Sequence, residues 1–229
     1  EAKTELWSAF VNFSAAQSGY KAIDHFRKKT IEIDGKTYEI GFEEEIEVDG
    51  KTYDSNSAGT KTFETDWVKQ NGFTVKGGAN LNVNEFFNVF ANVGFLSKAA
   101  VFNNVIDQSN NISTNYSNEE ITGYELGLSW RSKSFASNIN GYYTQWKNRP
   151  VNQTTRVDHP QPPADWDPET QLTALIQSMD ALHYGVEWDF AWNATSKLKV
   201  EGILSIGDWT WTSQENANIL DEDGLLILD

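Results

Sequence analysis

GYELGLSWRSKSFASNINGYYTQWK, residues 123–147, is the stretch on which the fold turns. Tyr124, Leu126, Leu128 and Trp130 fall on one parity, and Glu125, Gly127, Ser129 and Arg131 on the other. Strict alternation over this length makes a strand with one apolar and one polar face. Ser132, Lys133 and Ser134 form a polar turn, after which Phe135, Ile139 and Tyr143 share one face and Asn138, Asn140 and Thr144 the other. Matching the apolar faces sets Trp130 against Phe135, Leu126 against Ile139 and, on the polar side, Glu125 against Asn140. A soluble β-sandwich alternates in the same way. Strand length, aromatic residues at the strand ends, and Asn, Glu and Gly on the inner face favour a water-filled barrel instead.

Working outward, the same pattern recurs. Towards the N-terminus, Phe73, Val75, Gly77, Ala79 and Leu81 form an apolar face. After a turn at Asn82–Phe86, Phe87, Val89, Ala91, Val93 and Phe95 return. Face matching sets Leu81 against Phe87, Val75 against Val93 and Phe73 against Phe95. Trp7, Ala9, Val11 and Phe13 give an earlier strand. Towards the C-terminus, Tyr184, Val186, Trp188, Phe190 and Trp192 lead to a turn at Asn193–Lys197, and Leu198, Val200, Gly202, Leu204 and Ile206 lead back. Phe73, Phe95, Trp130, Phe135, Trp192 and Trp209 lie near strand ends and suit interfacial girdles.

Three long connections, at about 21–66, 97–118 and 148–179, alternate with the three short turns. A sandwich has no reason to collect its long loops at one end, whereas an outer-membrane barrel does so. In the first loop DGKTY occurs twice, at Asp34–Tyr38 and Asp49–Tyr53, and Asp-Gly is a hairpin dipeptide. We read a small two-turn β excursion there; a calcium or ligand site at the acidic Glu43–Glu45 run is the alternative. The third loop holds all five prolines, Pro150 and four in HPQPPADWDP, a composition of extended, non-sheet backbone. Thr170–Met179 is left open between a short helix and an extra strand. The final NILDEDGLLILD begins another loop with an Asp-Gly turn. The expected fold is all-β: an antiparallel up-and-down meander of about seven strands, a partial sector of a large transmembrane β-barrel, with residues 1–229 in one domain.

Bulk composition agrees. The formal net charge of −15 argues against a nucleic-acid partner. No cysteine is present, so disulfides and thiolate metal sites are excluded. Nine Trp, thirteen Phe and eight Tyr are many for a chain of mean hydropathy −0.53. No apolar run of about 18 residues offers a transmembrane helix. A barrel needs none, since only alternate residues of its strands face lipid. Both ends read as cut, the expectation being an internal piece of a longer protein.

Enzyme chemistry is not indicated. Asp180, His183, Glu187 and Asp189 crowd one strand, but zinc needs three or four converging ligands. His25, His159 and His183 are scattered with no HExxH spacing. Asp189 and Glu201 across the last hairpin suggest paired glycosidase carboxylates; a hydrated barrel wall with Lys199 offsetting the charge explains them more simply. No Ser-His-Asp grouping, phosphate loop or dinucleotide fingerprint occurs. The sequence singles out no catalytic, cofactor-binding, metal-ligating or substrate-contact residue.

Four segments carry a resemblance: NVFANVGFLSKAAVFNNV (Asn88–Val105), YELGLSWRSKSFASNINGYYTQWKNRP (Tyr124–Pro150), ALHYGVEWDF (Ala181–Phe190) and GILSIGDWTW (Gly202–Trp211). In order and over most of the chain, they resemble the C-terminal barrel of TonB-dependent outer-membrane receptors, especially the Bacteroidota type. Ala100 departs from the proline that often follows SKA in such proteins. Receptors of this kind form barrels of about 22 strands, of which these residues supply about a third, without plug domain, TonB box or terminal aromatic strand. The resemblance implies energised uptake of a scarce, large nutrient, an iron chelate or a glycan. The implied partners are outer-membrane lipid, the remaining barrel and plug, the TonB system through that plug, and a surface lipoprotein. A passive porin and a soluble Trp-rich carbohydrate-binding sandwich are the alternatives.

Overall fold

The computed structural model describes residues 2–107, 110–113, 116–159, 167, 171–213, 218–220 and 226–228. Its strands are β1 (Ala2–Lys3), β2 (Trp7–Tyr20), β3 (Ile23–Ile33), β4 (Lys36–Gly41), β5 (Glu45–Val48), β6 (Lys51–Asp54), β7 (Lys61–Glu64), β8 (Val68–Asn82), β9 (Phe87–Lys98), β10 (Glu119–Arg131), β11 (Phe135–Val157), β12 (Leu172–Thr195), β13 (Leu198–Trp211), β14 (Asn218–Leu220) and β15 (Leu226–Leu228). One short helix, α1 (Phe102–Val105), interrupts them, and no described helix is long and apolar enough to cross a membrane. The chain divides into two compact units, residues 1–17, 71–100 and 117–229 in the first, and 18–70 with 101–116 in the second.

The first unit is built on a single antiparallel sheet. Its long strands follow chain order, β2-β8-β9-β10-β11-β12, with β13 on β12. Beyond β13's stretch of β12, β14 pairs with Thr173–Leu175 and β15 continues from it. The sheet does not close on itself among the described residues. Its short turns link β8–β9, β10–β11 and β12–β13, and its long connections link the alternate pairs, as the sequence requires.

Hairpin register differs from the sequence expectation by two residues in each of the first two hairpins. Trp130 lies opposite Ser137 rather than Phe135, Leu126 opposite Gly141, and Glu125 opposite Tyr142. Likewise Phe73 meets Ser97, Val75 meets Phe95 and Leu81 meets Val89. An even shift keeps every side chain on its face, so the faces stand while the pairs change. The turns set the register. Ser132 N–H donates to Phe135 O at 2.7 Å, and its hydroxyl accepts Phe135 N–H at 3.1 Å. Asn84 Oδ1 accepts the N–H groups of Phe86 and Phe87, both at 2.9 Å.

Among the described residues of the first unit, no second layer lies over the apolar face. Leu126 is 60% exposed and Ile206 68%. A sandwich would bury this face, so that alternative falls. Aromatic side chains border it at both ends. Phe95 and Phe87 in β9, Tyr143 and Phe135 in β11, and Tyr184 and Trp192 in β12 are each eight residues apart. Eight residues of strand are roughly 27 Å. Tilted by about 40°, that spans a height of about 20 Å, which fits the roughly 25 Å apolar band of an outer-membrane barrel with its girdles. Of the six aromatics expected in the girdles, Trp209 is the exception: it pairs with His183 on the polar face.

The third long connection is also corrected. Non-sheet backbone was expected over 148–179, yet β11 runs to Val157 and β12 begins at Leu172. Thr155 pairs with Ala174 and Pro150 with Ser178. Proline enters a sheet only at an edge or a bulge, and here the ladder slips between Trp146 and Arg149 and again between Pro150 and Gln153. Asn148 takes φ 52° at the first slip, the left-handed region that Asn tolerates. The open question at Thr170–Met179 resolves as strand from Leu172 onward. The proline cluster at 160–163 and Pro168 lie outside the described residues, as does the Asp-Gly turn at Asp223–Gly224.

In the second unit, β3, β4 and β7 form a three-stranded sheet and β5 pairs with β6. The two DGKTY repeats are the expected hairpin turns: φ is 50° and 78° at Asp34–Gly35, and 51° and 73° at Asp49–Gly50. Positive φ at both central residues is the turn type that suits strand twist. Ile31, Ile40, Phe63, Val105 and Ile106 are buried, so these segments have a core of their own. Asp24, 3% exposed, accepts N–H from Phe26 at 2.9 Å and Arg27 at 2.8 Å, and Asn110 Nδ2 at 2.8 Å. Burial raises its pKa, but these bonds and the Arg27 charge together hold it below the usual carboxylate value. A lowered folded pKa stabilises above the unfolded value of about 3.9 and is lost as pH falls through the folded one. Amide exchange in the peptide 23–33, corrected for intrinsic rate, should therefore accelerate below about pH 4. Asp24→Asn should start faster and show no such step; an unchanged step in the variant would remove Asp24 from the account.

Candidate functional site

The polar face of the first unit's sheet carries most of its charged and amide side chains. Alternation assigns it Asn92 on β9, Glu125 and Ser129 on β10, Asn138 and Asn140 on β11, Glu187 and Asp189 on β12, and Glu201 and Ser205 on β13. Side-chain amides tie the carboxylates together across strands. Asn92 Nδ2 donates to Glu125 Oε2 at 2.8 Å, and Asn140 Nδ2 to Glu125 Oε1 at 2.6 Å. Glu125 and Asn140, expected as direct opposites, thus meet diagonally. Asn138 Nδ2 donates to Asp189 Oδ1 at 2.9 Å, and Lys199 Nζ lies 2.6 Å from Glu201 Oε1.

The carboxylate pair considered for glycoside hydrolysis does not form a facing pair. Asp189 is opposite Ile203, and Glu201 is opposite Ala191. They share a face, but each has its own partner in Asn138 and Lys199. Asp180, His183 and Glu187, weighed as zinc ligands with Asp189, also diverge. Asp180 Oδ1 accepts Asn148 N–H at 2.9 Å, and Glu187 Oε1 accepts the Ser205 hydroxyl at 3.5 Å. Among the described residues no group of three His, Asp or Glu side chains converges for a metal, Glu43–Glu45 included.

His183 instead belongs to an aromatic shelf towards the long-loop end of this polar face. Its ring packs edge-on to Trp146 at 4.7 Å between centroids and lies tilted to Trp209 at 5.7 Å. Trp146 and Trp211 flank Ala181 on neighbouring strands. The Arg149 guanidinium sits 4.8 Å from the Trp146 ring and 5.6 Å from that of Trp211. Such cation–π contacts hold the guanidinium over the rings. Trp209 Nε1 donates to the Tyr142 hydroxyl at 3.2 Å. Gly185 and Gly207, opposite each other, make room for that phenol: a Cβ on either would lie 2.7 or 2.6 Å from its oxygen.

Sequence reasoning missed this shelf for two reasons. Trp209 was given to a girdle by its place near a strand end, although its parity with Glu201 and Ser205 signals the polar face. Arg149 follows the ladder slip after Trp146, which reverses parity, and no sequence signal locates a slip of one residue.

A family model described as TonB dependent receptor-like, beta-barrel, matches residues 33–226. No curated protein and no solved structure matches the chain.

Proposed function

Because the chain belongs to the TonB-dependent receptor β-barrel family, we propose that it is a sector of an outer-membrane barrel that takes up a scarce, large nutrient with energy from the inner membrane. The family is one of outer-membrane receptors and transporters, not of enzymes. One observation carries the reading: a single-layer sheet with an uncovered apolar face between aromatic borders and a hydrogen-bonded polar face behind it. An open edge in lipid leaves backbone groups unsatisfied, at several kcal/mol each. The partners of this sheet are then outer-membrane lipid and further strands that close the barrel around a plug. TonB acts through the plug, and the Bacteroidota-like segments add a surface lipoprotein as a further partner. The nutrient class is an iron chelate or a glycan.

Accumulation of such nutrients by cells carrying the receptor tests this. Uptake should stop when an uncoupler collapses the proton gradient and when TonB is deleted. Uptake that continues under both treatments would mark a passive porin.

A further inference from the structure

We propose that Arg149, held between Trp146 and Trp211 and continued by His183 and Trp209, is a binding subsite for a ligand carrying a carboxylate or similar oxyanion beside a ring face that stacks on indole. The inference rests on the transport reading and names the chemistry of what passes this wall.

Three observations converge on it. The first is unspent charge. Among the described residues no carboxylate lies within ion-pair distance of Arg149. Glu125, Asp189 and Glu201 on the same face have their own partners, and Asp180 beside the slip takes the Asn148 N–H. The second is position. The guanidinium lies over both indoles, and its N–H donors suit bidentate bonding to an oxyanion. The third is exposed aromatic surface where the alternation calls for polar groups. Trp209 is 70% exposed and Trp211 50%, on the face that carries the carboxylates. Trp209 is held by the Tyr142 hydroxyl on this face. Rigid aromatic surface beside a few fixed polar groups is how small-molecule sites orient a ligand. The strand slip at Trp146–Arg149 is what brings the cation to this face, a use of bulges that recurs next to functional sites.

An acidic sugar presents a carboxylate beside the C–H face of its ring, and a catecholate iron chelate presents anionic oxygens beside planar rings. The test uses the intact receptor in detergent, with tryptophan fluorescence as the readout. The probes are a linear oligogalacturonate, its carboxyl-reduced neutral counterpart, and a ferric tris-catecholate. We expect one of the two anionic probes to quench the shelf and to bind at least about 10-fold more tightly than the neutral oligomer. Arg149→Gln should weaken that binding by about 10- to 100-fold, and Arg149→Lys by less. Trp209→Ala should weaken it and remove much of the quench. Whichever anion binds identifies the source. Equal affinity for the neutral oligomer, no binding of any probe, or wild-type affinity in Arg149→Gln would overturn the subsite. Should the variants misfold, the charged-to-neutral comparison on the unaltered receptor and its loss in high salt decide alone. Failure here with uncoupler-sensitive uptake intact removes the subsite only. Uncoupler-resistant uptake removes the transport reading and leaves the binding result standing.

Discussion

Leu126→Arg should cut the folded, heat-resistant fraction of the barrel sharply, by about 2–4 kcal/mol of stability, while Glu125→Arg costs far less. The two residues are neighbours on β10, so strand, depth and introduced side chain are matched. Leu126 lies on the apolar face, 60% exposed, opposite Ala91 and Gly141. An arginine there faces hydrocarbon near mid-membrane. Glu125 lies on the polar face, where water solvates the same cation. Losing its carboxylate does remove two amide hydrogen bonds, from Asn92 and Asn140. Asn140 Oδ1 is buried without a partner, and a rotated amide offers that oxygen to a guanidinium instead. The net loss at 125 should stay near 1 kcal/mol. Urea titration of both variants in the same lipid measures the difference. A larger loss for Glu125→Arg would mean that the faces are reversed or that β10 crosses no membrane.

What the sequence made legible follows from how each feature is encoded. Period-two alternation wrote the faces of β8 to β13 directly, because each apolar side chain states its own side. The long-short alternation of connections was equally plain. Register was not, because a shift of two residues satisfies the same faces. Ser132 and Asn84 chose between the alternatives through side-chain bonds to the turn backbone. Pro150 misled, since its composition signal is that of a loop, while two ladder slips let the sheet continue past it. The second unit's core joins residues far apart in sequence: Asp24 with Asn110, and Lys28 with Asn111 at 2.6 Å. No local pattern announces such pairs. The shelf required the same kind of knowledge, since Arg149 reaches it only through a slip.

Expressed without detergent or lipid, this chain should accumulate in the insoluble fraction. The net charge of −15 works against that outcome, because self-repulsion keeps chains apart. Charge loses to two features of the sheet. Leu126, Val186, Leu204 and Ile206 lie on one uncovered face with exposures of 60%, 51%, 51% and 68%. Soluble monomers rarely leave contiguous apolar patches beyond a few hundred Å², and this face spans six neighbouring strands, β8 to β13. Glu125, Glu187, Asp189 and Glu201 all lie on the polar side, and Asp208 guards only the Tyr184 end of the apolar face. The second feature is an edge. Among the described residues, β13 pairs only with β12, so Leu198–Trp211 presents one unpaired row of backbone donors and acceptors. A long edge beside an apolar face is a template for strand addition. Detergent covers the face but not the edge, so micelles should recover β-rich chain only in part, with residual association that grows with concentration. Ultracentrifugation and circular dichroism, with and without detergent, measure both effects. A soluble monomer with a sharp cooperative melt in plain buffer would mean that something covers this face, and the lipid-facing assignment would fall with it.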